Sequence, residues 1–199
     1  MGQDVFRLRQ RETEAINKSW MCDEGRLTYK ALNKERVLNS TVGKGDARKN
    51  VSFSDAVSTV AAAIKPFVGR CAVAISPNAS NEDLMATFSL VRDAFGQKHV
   101  YVSGRAPGAA DKMLMTADKN ANRKGLEFIA KAFGVEVRSF DALMTALTQK
   151  QVDALVAFGH DVPVSVAEFG DQLGGLEYFA ATAMNHSPML VHADAVLAQ

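Results

Sequence analysis

Cysteines, histidines and paired acids are the residues with which a chain could bind a metal, move a proton or attack a substrate, and this chain has few of them. It contains two cysteines, Cys22 and Cys71, and four histidines, at positions 99, 160, 186 and 192. A tetranuclear iron–sulfur cluster takes four protein ligands, normally thiolates, and a structural zinc takes four Cys or His at short spacings. The sequence offers neither set. His160-Asp161, His186 and His192-Asp194 are nominal acid–base groups. None has HxxxH or HExxH spacing, and adjacency in sequence does not make a catalytic geometry. A GxSxG nucleophile elbow is also missing. Cys71 opens the apolar run Cys71-Ala-Val-Ala-Ile75 and reads as a small core residue. Cys22 is different. It lies in Trp20-Met-Cys-Asp-Glu-Gly-Arg26, outside any regular pattern, where packing gives no reason for a cysteine.

The remaining polar candidates follow apolar runs: Ser76-Pro-Asn-Ala-Ser-Asn81, Ser103-Gly-Arg105 and Gly159-His-Asp161. In an open α/β sheet, ligands sit beyond the carboxyl ends of the strands. The first segment joins a strand to a helix N-terminus, whose free N–H groups can hold an anion, so Ser76, Asn78 and Ser80 are candidate cofactor-binding residues. Ser and Asn followed by an acid are equally what helix capping demands, and capping is the favoured reading of the two. No GxGxxG or P-loop follows any strand, so a conventional nucleotide site is not expected.

The elements that position these segments follow from periodicity. Phe53, Val57, Val60, Ala61 and Ile64 recur at helical spacing behind Ser52 as N-cap. Pro66 falls near the end of that helix. Residues 71–75 form a strand buried on both faces. Leu84, Phe88, Val91 and Phe95 predict the next helix, capped by Ser80 and stopped at Gly96. Strands follow at His99–Val102, Val135–Val137, Ala154–Phe158, Leu176–Thr182 and Ala193–Leu197. Helices centre on Leu126–Phe133 and Phe140–Leu147. The connection from Ser103 to Ala121 is long enough to predict a short helix near 110–115. Val5 to Arg9 alternates like a short strand, and Thr41 to Asn50 reads as a Gly- and Lys-rich loop. The alternation predicts a doubly wound, mainly parallel, Rossmann-like α/β sheet over 51–199, preceded by an irregular N-terminal arm over 1–50.

Composition is consistent with this. Of 199 residues, 47% are hydrophobic and 23% charged, enough apolar content for one sizeable core. No apolar run approaches the roughly 18 residues of a membrane span, and two cysteines make no disulfide framework, so a reducing, cytoplasmic setting is expected. The first 50 residues hold 11 basic against 7 acidic side chains, and the rest 12 against 15. A basic arm could touch nucleic acid, but it lacks interleaved aromatics and any DNA-binding motif; a solvated or partner-facing arm is the expected reading.

Asn17-Lys-Ser-Trp-Met-Cys-Asp-Glu-Gly-Arg26, with Tyr29-Lys30 and Asn33, closely resembles a segment of the large iron–sulfur subunit of bacterial NADH:quinone oxidoreductase, respiratory complex I. There the ferredoxin-like part passes into a module related to molybdopterin oxidoreductases. Further echoes follow in order. Arg48-Lys-Asn50 and Phe53-Ser-Asp-Ala-Val57 resemble "RKNG…W-D-EAL", and Ser76 to Glu82 resembles "SP-x-ASNE". Asn120-Ala-Asn-Arg-Lys-Gly125 resembles "N-x-N-x-x-G", Phe158-Gly-His-Asp161 a "GxD" strand end, and Ala193 to Leu197 "ADVVLP".

The resemblance implies a scaffold domain that packs against cluster-bearing and NADH-oxidising subunits of the peripheral arm, at the inner face of the cell membrane and not inserted in it. Electrons would pass through clusters in neighbouring domains. It also implies that Cys22 is equivalent to the last of four ligands to a [4Fe-4S] cluster, after a C-x-x-C-x-x-x-C group this sequence lacks, so that Cys22 is a fourth ligand parted from three partners elsewhere or a relic of one. No cofactor is then expected on this chain alone, and the chain reads as a fragment or a reduced form of the subunit. The alternative is a fragment of a molybdopterin-dependent oxidoreductase that binds part of its cofactor through 76–81 and 103–105.

Overall fold

The computed structural model describes residues 5–15, 17–112, 115–159 and 166–198, without the side chains of residues 24, 166 and 167. Two short helical turns, α1 (Asp23–Leu27) and α2 (Tyr29–Leu32), precede a hairpin of β1 (Ser40–Val42) and β2 (Lys49–Val51). Then come α3 (Phe53–Ile64), β3 (Cys71–Ile75), α4 (Asn81–Ser89), β4 (His99–Val102), α5 (Arg123–Phe133), β5 (Glu136–Arg138) and α6 (Phe140–Thr148). The described chain closes with β6 (Ala154–Phe158), α7 (Val166–Leu173), β7 (Tyr178–Ala183) and β8 (Ala195–Ala198). These strands make one sheet in the order β2-β1-β8-β7-β6-β3-β4-β5. From β8 to β5 every pair is parallel, and β1 is antiparallel to both neighbours. The fold is therefore the mainly parallel α/β sheet that the alternation of elements predicts.

Two apolar layers sandwich the sheet. Val73, Ile75, Val100, Val102 and Val156 face Leu84 and Phe88 of α4 and Leu126 and Ile129 of α5. Ala72, Ala74, Leu155, Ala157 and Phe179 face Leu143 of α6 and Phe169 of α7. All five residues of β3 are buried, the continuous apolar strand that cover on both faces requires. Helix starts follow the sequence: Ser52, Ser80 and Ser139 each accept from the backbone N–H three residues on. After α4 the helix widens into a π-type turn at Leu90–Ala94 and stops at Gly96, whose φ is +61°.

Three local expectations are corrected. Residues 41–50 are not a loop: β1 pairs with β8, and Thr41 lies opposite Val196. Tertiary bonds decide this, because Arg48 donates to Leu190 and Ala193 carbonyls at 2.9 and 2.6 Å and Lys44 meets Asp194 at 2.9 Å. Among the described residues Val5 to Arg9 pairs with no strand; Val5 instead exchanges two hydrogen bonds with the Asn33 side chain. Around 110–115 the described residues are not helical, and 113–114 lie outside them. The apolar face of α3 is only partly covered. Ala56 and Ile64 are buried, whereas Phe53 and Val57 stay exposed, because α3 lies toward β8 and β1 and leaves an apolar cleft of about 520 Å³ between itself and the π-type turn at Leu90–Ala94.

Since Arg48 ties the hairpin to two backbone carbonyls across the fold, Arg48→Ala should lower stability by about 1–3 kcal/mol. Urea unfolding followed by circular dichroism measures it; an unchanged midpoint would mean the hairpin docks without that arginine.

Candidate functional site

From the centre of the parallel part, the strand order proceeds through β3, β4 and β5 toward one edge of the sheet and through β6, β7 and β8 toward the other. The carboxyl ends of β3 and β6 are therefore the topological switch point, where ligands of such sheets lie. A crevice of about 530 Å³ opens there, lined by Ser76, Asn78, Ser80, Gly159 and Thr182, among others. Gly159 has φ +102°, and a Cβ on it would stand 2.7 Å from the Cβ of Ser76, so the two chains approach closely only because it is glycine.

The three residues singled out from the sequence all lie here, and each is engaged locally. Ser76, buried, accepts from the Asn78 N–H at 3.2 Å. Ser80 accepts from the Asp83 N–H at 3.1 Å and donates to the Asp83 carboxylate at 2.9 Å, which closes the first turn of α4. Asn78 accepts from the Ala121 N–H at 2.9 Å and donates to Asn120 at 3.3 Å. Across the crevice, the Thr182 hydroxyl accepts from the Gly159 N–H at 3.0 Å. His160 and Asp161 lie outside the described residues.

Sequence reasoning missed the partner of this turn. "SP-x-ASNE" and "N-x-N-x-x-G" read as separate echoes, and the structure clasps them together. The Asn120 side chain bonds Arg105 through both its groups, at 2.8 and 3.1 Å, and donates to Asp118 at 2.6 Å. The Asn122 N–H donates to Pro77 at 2.8 Å, and its side chain donates to the Ala79 carbonyl and to Asn81 at 3.0 and 2.8 Å. Gly125 allows this approach, since a Cβ there would collide with Asn81 and Asn122. Arg123 braces Asp118 at 2.7 Å. That hydrogen bond above all, with Asn120 adding to it, holds the carboxyl of Asp118 down at about 2. The signal available in the sequence was the asparagine pair set immediately before a helix.

The other candidates do not converge. Asp194 accepts from the Phe179 N–H at 2.8 Å and pairs with Lys44, so it anchors a strand. His186 is exposed, and the His192 ring packs beside Gly170. Cys71 is buried in β3, and burial pushes its thiol up to about 12. Cys22 is exposed and caps α1, its sulfur accepting from the Gly25 N–H at 3.2 Å. Among the described residues no three His, Cys, Asp or Glu side chains gather around a point that could hold a metal. With one cysteine on the surface and the other inside the sheet, the ligands of an iron–sulfur cluster do not fit on this chain alone.

Fold and crevice define a Rossmann-like α/β domain whose switch point is tied by its own side chains. No protein-family model matches the chain. It is similar to an NADH-quinone oxidoreductase subunit of Rickettsia conorii, 28% identical over 102 residues, which are 51% of this chain and 15% of that protein. It is also similar to the mitochondrial NADH dehydrogenase (ubiquinone) iron-sulfur protein 1 of Solanum tuberosum, 26% identical over 157 residues, 77% of this chain and 21% of that one. The chain thus spans about a fifth or less of the length of these curated relatives. The likeness supports a loose relationship to complex I iron–sulfur subunits over partial stretches. No helix among the described residues is long and apolar enough to cross a membrane.

Two outcomes follow. A thiol reagent should label Cys22 in the native chain and reach Cys71 only in denaturant, as read by mass spectrometry; equal labelling of both would contradict the buried strand. The Asp118 carboxyl is depressed on folding, so its stabilisation is complete above its ordinary value near 3.8 and is lost as pH falls toward about 2. Melting temperatures of wild type and Asp118→Asn should differ at neutral pH and converge across that interval. Parallel curves would show that the pair contributes nothing.

Proposed function

We propose that this chain is a scaffold domain of the iron–sulfur subunit of an NADH:quinone oxidoreductase, supporting electron transfer through clusters carried by neighbouring domains. The observation that carries this reading is the N-terminal arm. Phe6 and Trp20 are each 80% exposed, and uncovered large aromatic side chains are of the kind enriched where one protein meets another. The motif with the closest family likeness, residues 17–33, lies on the same arm. Residues 1–50 then form the junction to a cluster-bearing part and 51–199 the body, with the hairpin of β1 and β2 fastening the two. Cys22, exposed on the arm, supplies one thiolate of a set whose other members lie elsewhere. The complex would hold the domain at the inner face of the cell membrane.

The switch-point crevice agrees with this role. Ser76, Asn78 and Ser80 act as caps and ties, which suits a rigid support better than a reaction centre. A tagged chain purified from its own host should bring down cluster-bearing and NADH-oxidising subunits. Phe6→Ser with Trp20→Ser should reduce that recovery roughly tenfold or more, as loss of aromatic anchors does, at an unchanged melting temperature. A chain recovered alone, or one carrying molybdenum by elemental analysis, would overturn the proposal.

A further inference from the structure

The carboxyl ends of β4 and β5 border a second, open crevice, about 490 Å³, distinct from the one at β3 and β6 and of a size that takes small molecules. Ser103 stands at its base, immediately after β4. On this strand Tyr101 belongs to the layer of α6 and Val102 to the layer of α4 and α5. Side chains alternate, so Ser103 turns back toward α6, whose first residues form the opposite wall. Ser103 is only 6% exposed, and its hydroxyl oxygen has no hydrogen-bond partner among the described residues. An unpaired buried hydroxyl is unfavourable and rare in folded proteins. Every other strand-end serine or threonine named above has a partner; this one does not.

The surroundings say what would complete it. Arg105, Arg123 and Arg138 line the crevice. Arg123 is braced by Asp118 at 2.7 Å, and Arg138 by Glu136 at 3.0 and 3.1 Å. A guanidinium carries five N–H donors, so these braces fix the groups in place and leave donors to spare. Helix α6 begins at the same wall. Ser139 caps it by accepting from Ala142, and its first turn presents the positive end of the helix dipole. A buried hydroxyl, oriented guanidinium groups and a helix N-terminus are together the donor set of a phosphate site. Asp141 also lines the wall and would repel a bare anion; beside a phosphate it is suited to accept from hydroxyl groups on the rest of the ligand.

We propose that this crevice binds a phosphorylated sugar, its phosphate held by Ser103, the first turn of α6 and the flanking arginines, and its hydroxyls by Asp141. The inference does not depend on the scaffold role proposed above. Ribose 5-phosphate, adenosine 5′-monophosphate, inorganic phosphate and ribose are the probes, added to the isotope-labelled 199-residue chain and followed by amide chemical shifts. The two esters should move Ser103, Gly104, Arg105 and residues 139–142 saturably; inorganic phosphate should bind more weakly, and ribose not at all. Tighter binding of the nucleotide than of ribose 5-phosphate would make the source a nucleotide, and equal binding a simple sugar phosphate; both support the site. Ser103→Ala should weaken ester binding about tenfold or more, as loss of a hydrogen bond to a charged group does, while the free chain melts no lower. The proposal is overturned if no probe gives saturable shifts by about 10 mM. It is equally overturned if Ser103→Ala binds as tightly as wild type, or if inorganic phosphate matches the esters.

Discussion

The parallel pairing of β3 with β6 brings together five consecutive residue pairs, Cys71 with Ala154 through Ile75 with Phe158, from segments separated by most of the body of the chain. Buried on both faces, these strands can satisfy their backbone groups only in each other and in β4 and β7. Just before the pairing begins, Arg70 forms a two-pronged ion pair with Asp153 and donates to the Lys150 carbonyl, which fixes the register from below. Just after it ends, the Ser76 N–H donates to the Phe158 carbonyl at 3.0 Å. Both crevices at the carboxyl edge inherit their positions from this pair.

Above it, the asparagine clasp acts as a second layer of constraint. It ties the turn after β3 to the start of α5 and to the chain leaving β4, so three loops that could move independently share one network. Cooperative networks of this kind rigidify when every member is paired. The clasp also reaches the second crevice, because Arg105 and Arg123 belong to both. Asp118 takes bonds from Asn120 and Arg123 and thereby links the surroundings of the two crevices.

The sequence made the central elements readable because burial writes itself into composition. Cys71–Ile75 and Ala154–Phe158 are apolar runs stopped by Pro77 and Gly159, and Ser52 and Ser80 precede helical periodicity as caps. The β1–β2 hairpin was not readable. Its strands have three residues each, and Gly43, Lys44 and Gly45 carry the composition of a loop; what makes it a hairpin is Arg48 and Lys44 reaching residues about 140 or more positions away. The site was legible to the same degree. Capping by Ser80 is local and visible, whereas the bond of Asn78 with Asn120, or the placing of Ser103 and Arg138 around one crevice, exists only once strand register has brought them near. Periodicity placed α3, although an apolar stripe states which face prefers cover and not whether cover is present.

The sheet ends on both sides in three-residue strands. At one margin β2 carries Lys49 and Asn50 exposed, and at the other β5 carries Glu136 and Arg138 ion-paired along the rim. An open row of backbone groups is a template on which another chain can add itself, and short, charged margins make poor templates. Lateral growth of this sheet is thereby discouraged at either end, a protection against intermolecular stacking that sequence hydrophobicity alone would not disclose. Whatever the molecule meets, it meets through its helical faces, its strand-end loops or its arm.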